Sequence, residues 1–330
     1  MGLTAFLHRR LPGVWLQRGP VAWALRPLAA VYAALWALRR LAYATGAFKT
    51  HHFPAVVIVV GNVVAGGAGK TPVTIALVQH LLAKGWRVGV LSRGHGRKTQ
   101  HTLAVKANSH PLEVGDEPLL IHQRTGVPVW VARARADAAR ALLLAHPEVQ
   151  ILVCDDGLQH LALARDLEIC VMDERGVGNG WLLPAGPLRE PWPRPVDWVL
   201  HTGVPALQGG FQAPRQLAEH ALTASGQKIP LTSLTSKPLH AIAGLARPEA
   251  FFEMLRQAGL DLSRTTPLPD HFDYPNWQPP QTGETLLCTE KDAAKLWPHA
   301  PSALAVPLVV TPEPAFWQAL DVRIRQLLNR

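Results

Sequence analysis

Acidic residues are absent from the first third of this chain. The 330 residues carry 33 Lys or Arg and 24 Asp or Glu, yet residues 1–112 contain fourteen bases and no acid before Glu113. The rest of the chain has nineteen bases and twenty-four acids, so the excess positive charge is confined to the amino-terminal third. A basic surface of this kind suits nucleic acid, an anionic membrane or an anionic substrate.

Cysteine is also scarce. Cys154, Cys170 and Cys288 are scattered along the chain without CxxC or CxxxH spacing. This pattern argues against a structural zinc site and against a disulfide framework, and a reducing, cytoplasmic setting is expected.

Long apolar runs are missing as well. The uncharged stretch near the amino terminus covers only residues 27–38, whereas a membrane-spanning helix needs about 20 residues. Its helical spacing predicts one apolar stripe between aromatic and arginine residues, as in helices that lie in the interface of an anionic bilayer. Packing of this helix against its own domain is the alternative. The stripe comprises Leu28, Val31, Tyr32, Leu35 and Leu38, and the flanking residues are Trp23, Trp36, Tyr43, Arg9, Arg10, Arg18, Arg26, Arg39 and Arg40.

The sequence does contain a candidate phosphate-binding loop. Residues 56–71, VVIVVGNVVAGGAGKT, place an aliphatic strand before a glycine-rich turn and a helical pattern after it. The N–H groups of such a loop bind phosphate, its lysine reaches the β- and γ-phosphates, and its threonine hydroxyl binds Mg²⁺. Val64 stands where the usual spacing has glycine. The predicted nucleotide contacts are Val64, Ala65, Gly66, Gly67, Ala68, Gly69, Lys70 and Thr71, with Lys70 also catalytic.

Three acidic residues occur at positions that suit phosphoryl transfer. Asp116, in VGDEP, follows a glycine and precedes a helical pattern, where it can either cap the helix or accept the proton of an alcohol. Asp155 and Asp156 end an apolar strand, and such an acid shares Mg²⁺ with the threonine of a P-loop. We therefore predict a metal site near Thr71, Asp155 and Asp156.

Other polar residues lie in loops. Arg93 opens a basic turn after a predicted strand, where it either contacts a ligand or is merely solvated. Residues 176–195 are too rich in Gly and Pro for a regular element, and a long irregular segment is often functional, which makes Arg189 and Glu190 candidates. His271 follows Asp270; a lone loop histidine is more often structural, but it can also order a carboxylate.

Seven segments occur together and in a fixed order: GNVVAGGAGKTP at 61–72, SRGHGR at 92–97, VGDEP at 114–118, CDDGLQH at 154–160, LLPAGPLREP at 182–191, PDH at 269–271 and TEKDAAKL at 289–296. Together they resemble the tetraacyldisaccharide 4'-kinase family, the lipid A 4'-kinases of Gram-negative bacteria. The resemblance implies transfer of the γ-phosphoryl group of ATP to the 4'-hydroxyl of a lipid disaccharide 1-phosphate. It also implies a peripheral enzyme at the cytoplasmic face of the bacterial inner membrane.

The resemblance assigns roles to individual residues. Asp116 is expected to be the catalytic base with support from His271, and Mg²⁺ is expected near Thr71, Asp155 and Asp156. The positions expected to line the nucleotide or substrate cleft are Arg93, Gln159, Arg189 and Glu190. The sequence departs from the family at four positions: Val64 and Ala68 replace common threonines, His95 replaces a common tyrosine, and Phe272 replaces a frequent second histidine.

The expected fold class is α/β, with a P-loop NTPase-like α/β/α sandwich, a second, smaller α/β lobe and an amphipathic N-terminal helix. The predicted divisions are a membrane-interface segment at 1–50, a kinase domain at 51–225 and a lid domain at 226–330. Expected ligands are ATP, Mg²⁺ and the lipid disaccharide, and an anionic membrane is the expected surface; no nucleic acid or obligatory protein partner is expected. The alternatives are a membrane-associated P-loop ATPase or GTPase switch acting on a protein, and a nucleic-acid-binding ATPase.

Overall fold

The computed structural model describes residues 13–203, 209–274, 277–278 and 283–329. The described part of the chain before the first sheet includes the helices α1 (Pro20–Ala24) and α2 (Arg26–Ala44). The predicted helix at 27–38 is therefore part of a longer one. Arg9 and Arg10, two of the arginines expected to flank it, lie outside the described residues.

Alternating strands and helices form the first lobe. Its strands are β1 (Val56–Gly61), β2 (Val88–Ser92), β3 (Leu103–Ala104), β4 (Val129–Val131), β5 (Ile151–Asp155), β6 (Leu167–Met172), β7 (Trp198–His201) and β8 (Phe211–Gln212). Its helices are α3 (Lys70–Ala83), α4 (Pro111–Val114), α5 (Asp116–Thr125) and α6 (Arg135–Ala145).

The strand order is β3-β4-β2-β5-β1-β6-β7-β8, and every pair is parallel except β3 with β4. Strand β5 lies between β1 and β2, so Val60 of β1 stands beside Asp155 of β5. Because the strands are parallel, their carboxyl ends meet at one edge of the sheet, which is where open α/β sheets bind ligands.

Both faces of this sheet are buried because its central strands are apolar at successive positions. Val56, Ile58 and Val60 of β1 join one core cluster with residues of α3 and α5. Val57 and Val59 point the other way, into a cluster with residues of α6. Alternate side chains of a strand face opposite sides, so helices must cover both. The expected α/β/α sandwich is confirmed.

A smaller second lobe follows. It contains β10 (His220–Leu222), β11 (Lys228–Pro230), β12 (Leu239–Gly244), β13 (Leu262–Leu268), β14 (Thr285–Thr289) and β15 (Leu304–Val306), with helices α7 (Pro248–Gln257) and α8 (Glu290–Leu296). The strand order is β11-β10-β15-β14-β12-β13. The buried residues of α7 and of α8 belong to separate core clusters that share this sheet. The second α/β lobe is thus present as predicted, with β13 as a strand that the sequence pattern did not indicate.

The chain crosses between the lobes twice. Strands β9 (Arg215–Leu217) and β16 (Leu308–Val310) pair antiparallel and form a two-stranded connection. The last helix, α9 (Pro314–Leu328), then returns to the first lobe, where Phe316, Leu320 and Ile324 enter the core. The domain limits at 225/226 remain a prediction; β10 and β11, which pair, lie on either side of that point.

Helix α9 supports a stability prediction. Phe316 is 0% exposed and its ring contacts Trp198, Phe211 and Trp317 at centroid distances of 5.8, 5.6 and 5.0 Å. We expect Phe316→Ala to lower the free energy of unfolding by about 3–5 kcal/mol, through lost burial and a residual cavity. Urea denaturation of the full chain measures this change in the free energy of unfolding. Val322→Ala, at a residue 56% exposed on the same helix, is the control and should change stability by less than about 0.5 kcal/mol; equal losses would contradict the packing.

The outward face of α1 and α2 is apolar. Its exposed residues recur at helical spacing, and we call them the N-terminal apolar surface: Val21, Trp23, Leu28, Val31, Leu35, Leu38 and Leu41. Tyr32, predicted to share this stripe, instead turns toward the protein and donates a hydrogen bond to the carbonyl of Arg189 at 2.6 Å. Within the described parts of the chain, no helix has the length and apolar character needed to cross a membrane.

Candidate active site

The glycine-rich loop connects β1 to α3 at the carboxyl edge of the first sheet. Lys70 and Thr71 form the first turn of α3, which follows Gly69 in the left-handed conformation. The Lys70 ammonium lies 3.2 Å from Oδ1 of Asn62 and 3.6 Å from Oδ1 of Asp156. The loop therefore has the strand-to-helix setting that phosphate binding requires.

Val64 occupies the loop position where glycine is usual because its side chain has a place in the core. It is 2% exposed, packs in the same cluster as Leu188, and its backbone forms a β-bridge with that residue. Ala68 is likewise buried, and its carbonyl accepts a hydrogen bond from the Thr202 hydroxyl. Arg175 holds the loop from outside by donating to the carbonyls of Ala65 and Gly67.

Asp155 ends β5 beside this loop and is 1% exposed. Its Oδ1 accepts a hydrogen bond from the Thr74 hydroxyl at 3.0 Å. Burial, together with the negative charges of Glu117 and Asp156, raises the pKa of Asp155 to about 7. A buried carboxylate beside other carboxylates is stabilised by a cation. Asp155 thus lies at the end of an apolar strand beside the P-loop, as the sequence predicted.

Asp156 is paired with cations from two directions. Its Oδ1 lies 3.0 Å from the Arg189 guanidinium and 3.6 Å from the Lys70 ammonium. Burial alone raises the pKa of Asp156, but Lys70 and Arg189 outweigh it and hold that pKa below the usual value. The structure therefore joins Arg189 of the irregular 176–195 segment to the P-loop lysine through one carboxylate.

Gln159 and Glu190 form a second link between the same regions. The Gln159 amide donates to the backbone carbonyl of Asn62 at 3.0 Å and to Oε1 of Glu190 at 2.7 Å. Glu190 is buried and also pairs with Arg194 at 3.0 Å. The sequence analysis did not identify Asn62 as a site residue. Its position, directly after an apolar strand and before the glycine-rich loop, could have indicated one.

Asp116 is the first residue of helix α5, whose N-cap is Gly115, and among the described residues its side chain is not hydrogen-bonded to the helix backbone. Its Oδ2 instead lies 2.9 Å from Nδ1 of His271 and 2.8 Å from the ammonium of Lys295, both in the second lobe. Burial raises the pKa of Asp116, yet the bonds from His271 and Lys295 outweigh it and the pKa is lowered. The capping alternative is wrong, and the predicted Asp116–His271 pair is a direct contact.

Two glycines allow Asp116 to reach this place. Gly115 has φ 94°, and a Cβ there would lie 2.9 Å from the Cα of Gly94. Gly94 has φ 68°, and its own Cβ would lie 2.6 Å from the carbonyl of Val114. Only residues without a Cβ fit this approach. The basic turn after β2 is thereby packed against the segment that carries Asp116.

Two site residues have an uncommon backbone conformation. Among the described residues, the non-glycine residues with positive φ are Asp156, at 49°, and His271, at 58°. Such conformations persist where the surroundings enforce them, and they cluster at functional sites. Both therefore add independent support to the site.

The basic turn lies beside the Asp116–His271 pair, and the role of Arg93 in the cleft remains a prediction. Arg93 is exposed. Burial and the positive charges of several arginines, Arg93 among them, lower the pKa of His160 to about 4. The ring of His95, which replaces the family tyrosine, lies 5.4 Å from that of His271. Phe272 packs edge-on against Tyr274 at 5.0 Å, so it belongs to the core of the second lobe.

Lys295 is the main site residue that the sequence analysis missed. The segment TEKDAAKL places Lys291 and Lys295 one helical turn apart, which was a signal for a shared face. Lys291 lies 3.0 Å from Oδ1 of Asp270 and 3.4 Å from Nε2 of His271. Asp292 instead accepts from the backbone N–H of Gly244 and from the Tyr274 hydroxyl, so it is structural.

Comparisons with known proteins agree with this geometry. The family model for tetraacyldisaccharide-1-P 4'-kinase matches residues 21–325. The protein named tetraacyldisaccharide 4'-kinase from Acidovorax sp. (strain JS42) is 58% identical over 99% of this chain and 97% of its own length. The protein of the same name from Polaromonas sp. (strain JS666 / ATCC BAA-500) is 53% identical over 96% of both chains. A crystal structure of LpxK from Aquifex aeolicus in complex with ATP has a TM-score of 0.81 and 30% identity, over 93% of this chain and 99% of that one. This chain belongs to the tetraacyldisaccharide-1-P 4'-kinase family.

Proposed function

We propose that the protein transfers the γ-phosphoryl group of ATP to the 4'-hydroxyl of a tetraacyldisaccharide 1-phosphate. The contact between Asp116 of the first lobe and His271 of the second, at the sheet edge that carries the P-loop, is the observation that supports it. A phosphate cradle without a base would serve a switch equally well. A buried, ionised carboxylate beside it suits a hydroxyl acceptor.

In the proposed mechanism the P-loop holds the phosphates of ATP and Lys70 offsets the charge on the transferred group. Asp116 accepts the proton of the sugar hydroxyl while that oxygen bonds to the γ-phosphorus and the bond to ADP breaks. His271 fixes the orientation of the carboxylate through its 2.9 Å contact. Residues of the second lobe close over the nucleotide and exclude water.

The residues near the P-loop fit a bound Mg²⁺. Thr71 supplies a hydroxyl, and Asp155 and Asp156 supply carboxylates, the hard oxygen donors that Mg²⁺ prefers. Burial, together with the negative charges of Glu117 and Asp156, raises the pKa of Asp155 to about 7, and a divalent cation would favour its ionised form. Within the described residues no cluster of three His, Cys, Asp or Glu could hold a metal, which suits an ion that also uses phosphate and water as ligands. Thr71, Asp155 and Asp156 would hold such an ion, which would supply positive charge to offset that of the phosphates.

The N-terminal apolar surface is the proposed contact with an anionic membrane. Its leucines are flanked by arginines that lie over aromatic rings, such as Arg40 over Trp36 at 5.5 Å and Arg26 over Trp23 at 4.9 Å. Apolar residues with basic residues at their border suit the interface of an anionic bilayer. The positive charge of residues 1–112 supports a contact with anionic lipid, and the proposed location of this contact is the cytoplasmic face of the inner membrane.

Leu35 and Leu38 test the membrane proposal. They are 62% and 64% exposed on the outward face of α2. We expect the double variant Leu35→Gln/Leu38→Gln to bind phosphatidylglycerol-containing vesicles about 100-fold more weakly, because two leucines lose about 1.5 kcal/mol each of apolar burial. Vesicle co-sedimentation measures the affinity. Leu144→Gln, at a residue 85% exposed on α6, is the matched control; if it weakens binding as much, α2 is not the contact.

Product analysis tests the proposed reaction. The protein is incubated with ATP, Mg²⁺ and a lipid A disaccharide 1-phosphate, and ADP, inorganic phosphate and phosphorylated lipid are quantified. We expect ADP and phosphorylated lipid in equal amounts. Release of inorganic phosphate at a rate indifferent to the lipid would instead identify a switch.

A further inference from the structure

We propose that Lys295 is a positioning residue, delivered by the second lobe to the carboxylate of Asp116. The inference rests on the proposed function, in which Asp116 is the base. The Lys295 ammonium lies 2.8 Å from Oδ2 of Asp116, the oxygen that also contacts Nδ1 of His271 at 2.9 Å. Among the described residues, the hydrogen bonds and ion pairs to Asp116 both reach Oδ2. The two donors of the second lobe therefore hold the same carboxylate oxygen.

Lys295 is built into this position. Its side chain is 8% exposed, and its ammonium also donates to the backbone carbonyl of Phe272 at 3.3 Å. A buried ammonium is costly unless it is paired and hydrogen-bonded. The contact with Asp116 therefore stabilises both partners, in contrast to an exposed surface ion pair.

Lys291, one helical turn earlier, selects the tautomer of His271. An ammonium group only donates hydrogen bonds, so Nε2 of His271, at 3.4 Å from Lys291, must present its lone pair. The proton of the neutral ring then sits on Nδ1 and is donated to Oδ2 of Asp116. The two lysines of α8 thus act on the two members of the Asp116–His271 pair.

Closure of the lobes and orientation of the base are coupled by this arrangement. Asp116 belongs to the first lobe, whereas its two direct partners belong to the second. Separation of the lobes would remove both donors from Oδ2 of Asp116. Among the described residues, the charged and titratable groups that act on Asp116 include His271, Lys291, Lys295 and Tyr274, and the ring of His95 is tilted against that of His271 at 5.4 Å.

The test compares Lys295→Met with Lys295→Arg, which keeps the charge. Loss of the ammonium makes Asp116 easier to protonate, so we expect the acid limb of the kcat–pH profile of Lys295→Met to move to higher pH. We expect the midpoint of that limb to rise by about one pH unit, the effect of losing one hydrogen bond to a charged group. Lys295→Arg should have a kcat–pH profile close to that of the wild type. In the Asp116→Asn background, Lys295→Met should cause no further loss, since both changes act through one group.

Arg124→Met is the matched control because it breaks another ion pair between the lobes, Arg124 with Glu290 at 2.7 Å. Its profile should overlay that of the wild type; an equal shift, or an unshifted Lys295→Met profile, overturns the proposal. A ¹³C NMR titration of the Asp116 carboxyl, assigned with Asp116→Asn, provides a readout without lipid. A titration unchanged in both Lys295→Met and Lys295→Gln overturns the pairing even if the wild type phosphorylates lipid. If the wild-type protein forms no phosphorylated lipid, the proposed kinase reaction is rejected, but the Lys295–Asp116 pairing is not.

Discussion

Asp116→Asn is expected to lower kcat by about 10²- to 10⁴-fold, the usual contribution of a positioned general base. Asparagine has nearly the same shape and can still contact His271, but its amide cannot take the proton of the acceptor hydroxyl. The proposed ATP site is the P-loop and does not include Asp116, so the KM for ATP should change little. Steady-state assays of lipid phosphorylation at saturating ATP measure the loss.

The size of this effect depends on the charge state of the carboxylate. Its lowered pKa, which results from His271 and Lys295 outweighing burial, keeps Asp116 ionised at neutral pH. The wild-type rate should therefore fall only at distinctly acidic pH, as Asp116 becomes protonated. Glu113→Gln, three residues earlier and exposed, controls for loss of a nearby negative charge. Comparable losses in both variants would show that the general field of the acids, and not a specific base, supports the reaction.

The nucleotide half of the site could be predicted from the sequence because its residues are contiguous. The β-branched run of β1, the glycines and the Lys70–Thr71 pair each specify their own local structure, and hydrophobic periodicity places a helix after them. Asp155 could be predicted for the same reason, since an apolar strand ends on it. Even here the structure adds a detail: Val64 is tolerated because its side chain is buried against Leu188.

The acceptor half depends on contacts that no local pattern contains. Asp116 and His271 are 155 residues apart in the sequence, and only the resemblance to the family connected them. Lys295 went unnoticed because a lysine on a short helix is most often solvated. Tyr32 was assigned to the apolar stripe because its spacing allows it, whereas its hydroxyl needs a partner and finds one at Arg189.

The hydrogen bond of Tyr32 connects helix α2, which carries the N-terminal apolar surface, to Arg189 of the candidate site. Trp23 and Trp181 pack at a centroid distance of 5.0 Å, and the Arg26 guanidinium lies 4.8 Å from the Trp181 ring. These contacts fasten α1 and α2 to the 176–195 segment, which supplies Arg189 to Asp156. In the proposed membrane-bound state, these contacts keep the irregular segment next to the helices that face the bilayer.

Lys70→Met is expected to lower kcat/KM by about 10²- to 10³-fold, the cost of removing one preorganised donor from developing negative charge. In the structure the ammonium lies between Asn62 and Asp156, at 3.2 and 3.6 Å. We infer that it moves from these partners to the phosphates when ATP binds. Methionine keeps the length and packing of the side chain, so the loss isolates the charge. Turnover and ATP affinity, measured separately, show whether transition-state or ground-state binding is affected.

Lys84→Met is the matched control, because Lys84 caps the other end of α3 and pairs with Asp321 at 2.9 Å on the surface. It should leave kcat/KM unchanged within about twofold, since exposed ion pairs contribute little. Lys70→Arg should rescue activity poorly: the broad, planar guanidinium does not replace a compact ammonium between Asn62 and Asp156. If Lys70→Met instead kept more than a tenth of the wild-type kcat/KM, Arg189 and the loop N–H groups would have to carry the transferred charge without Lys70.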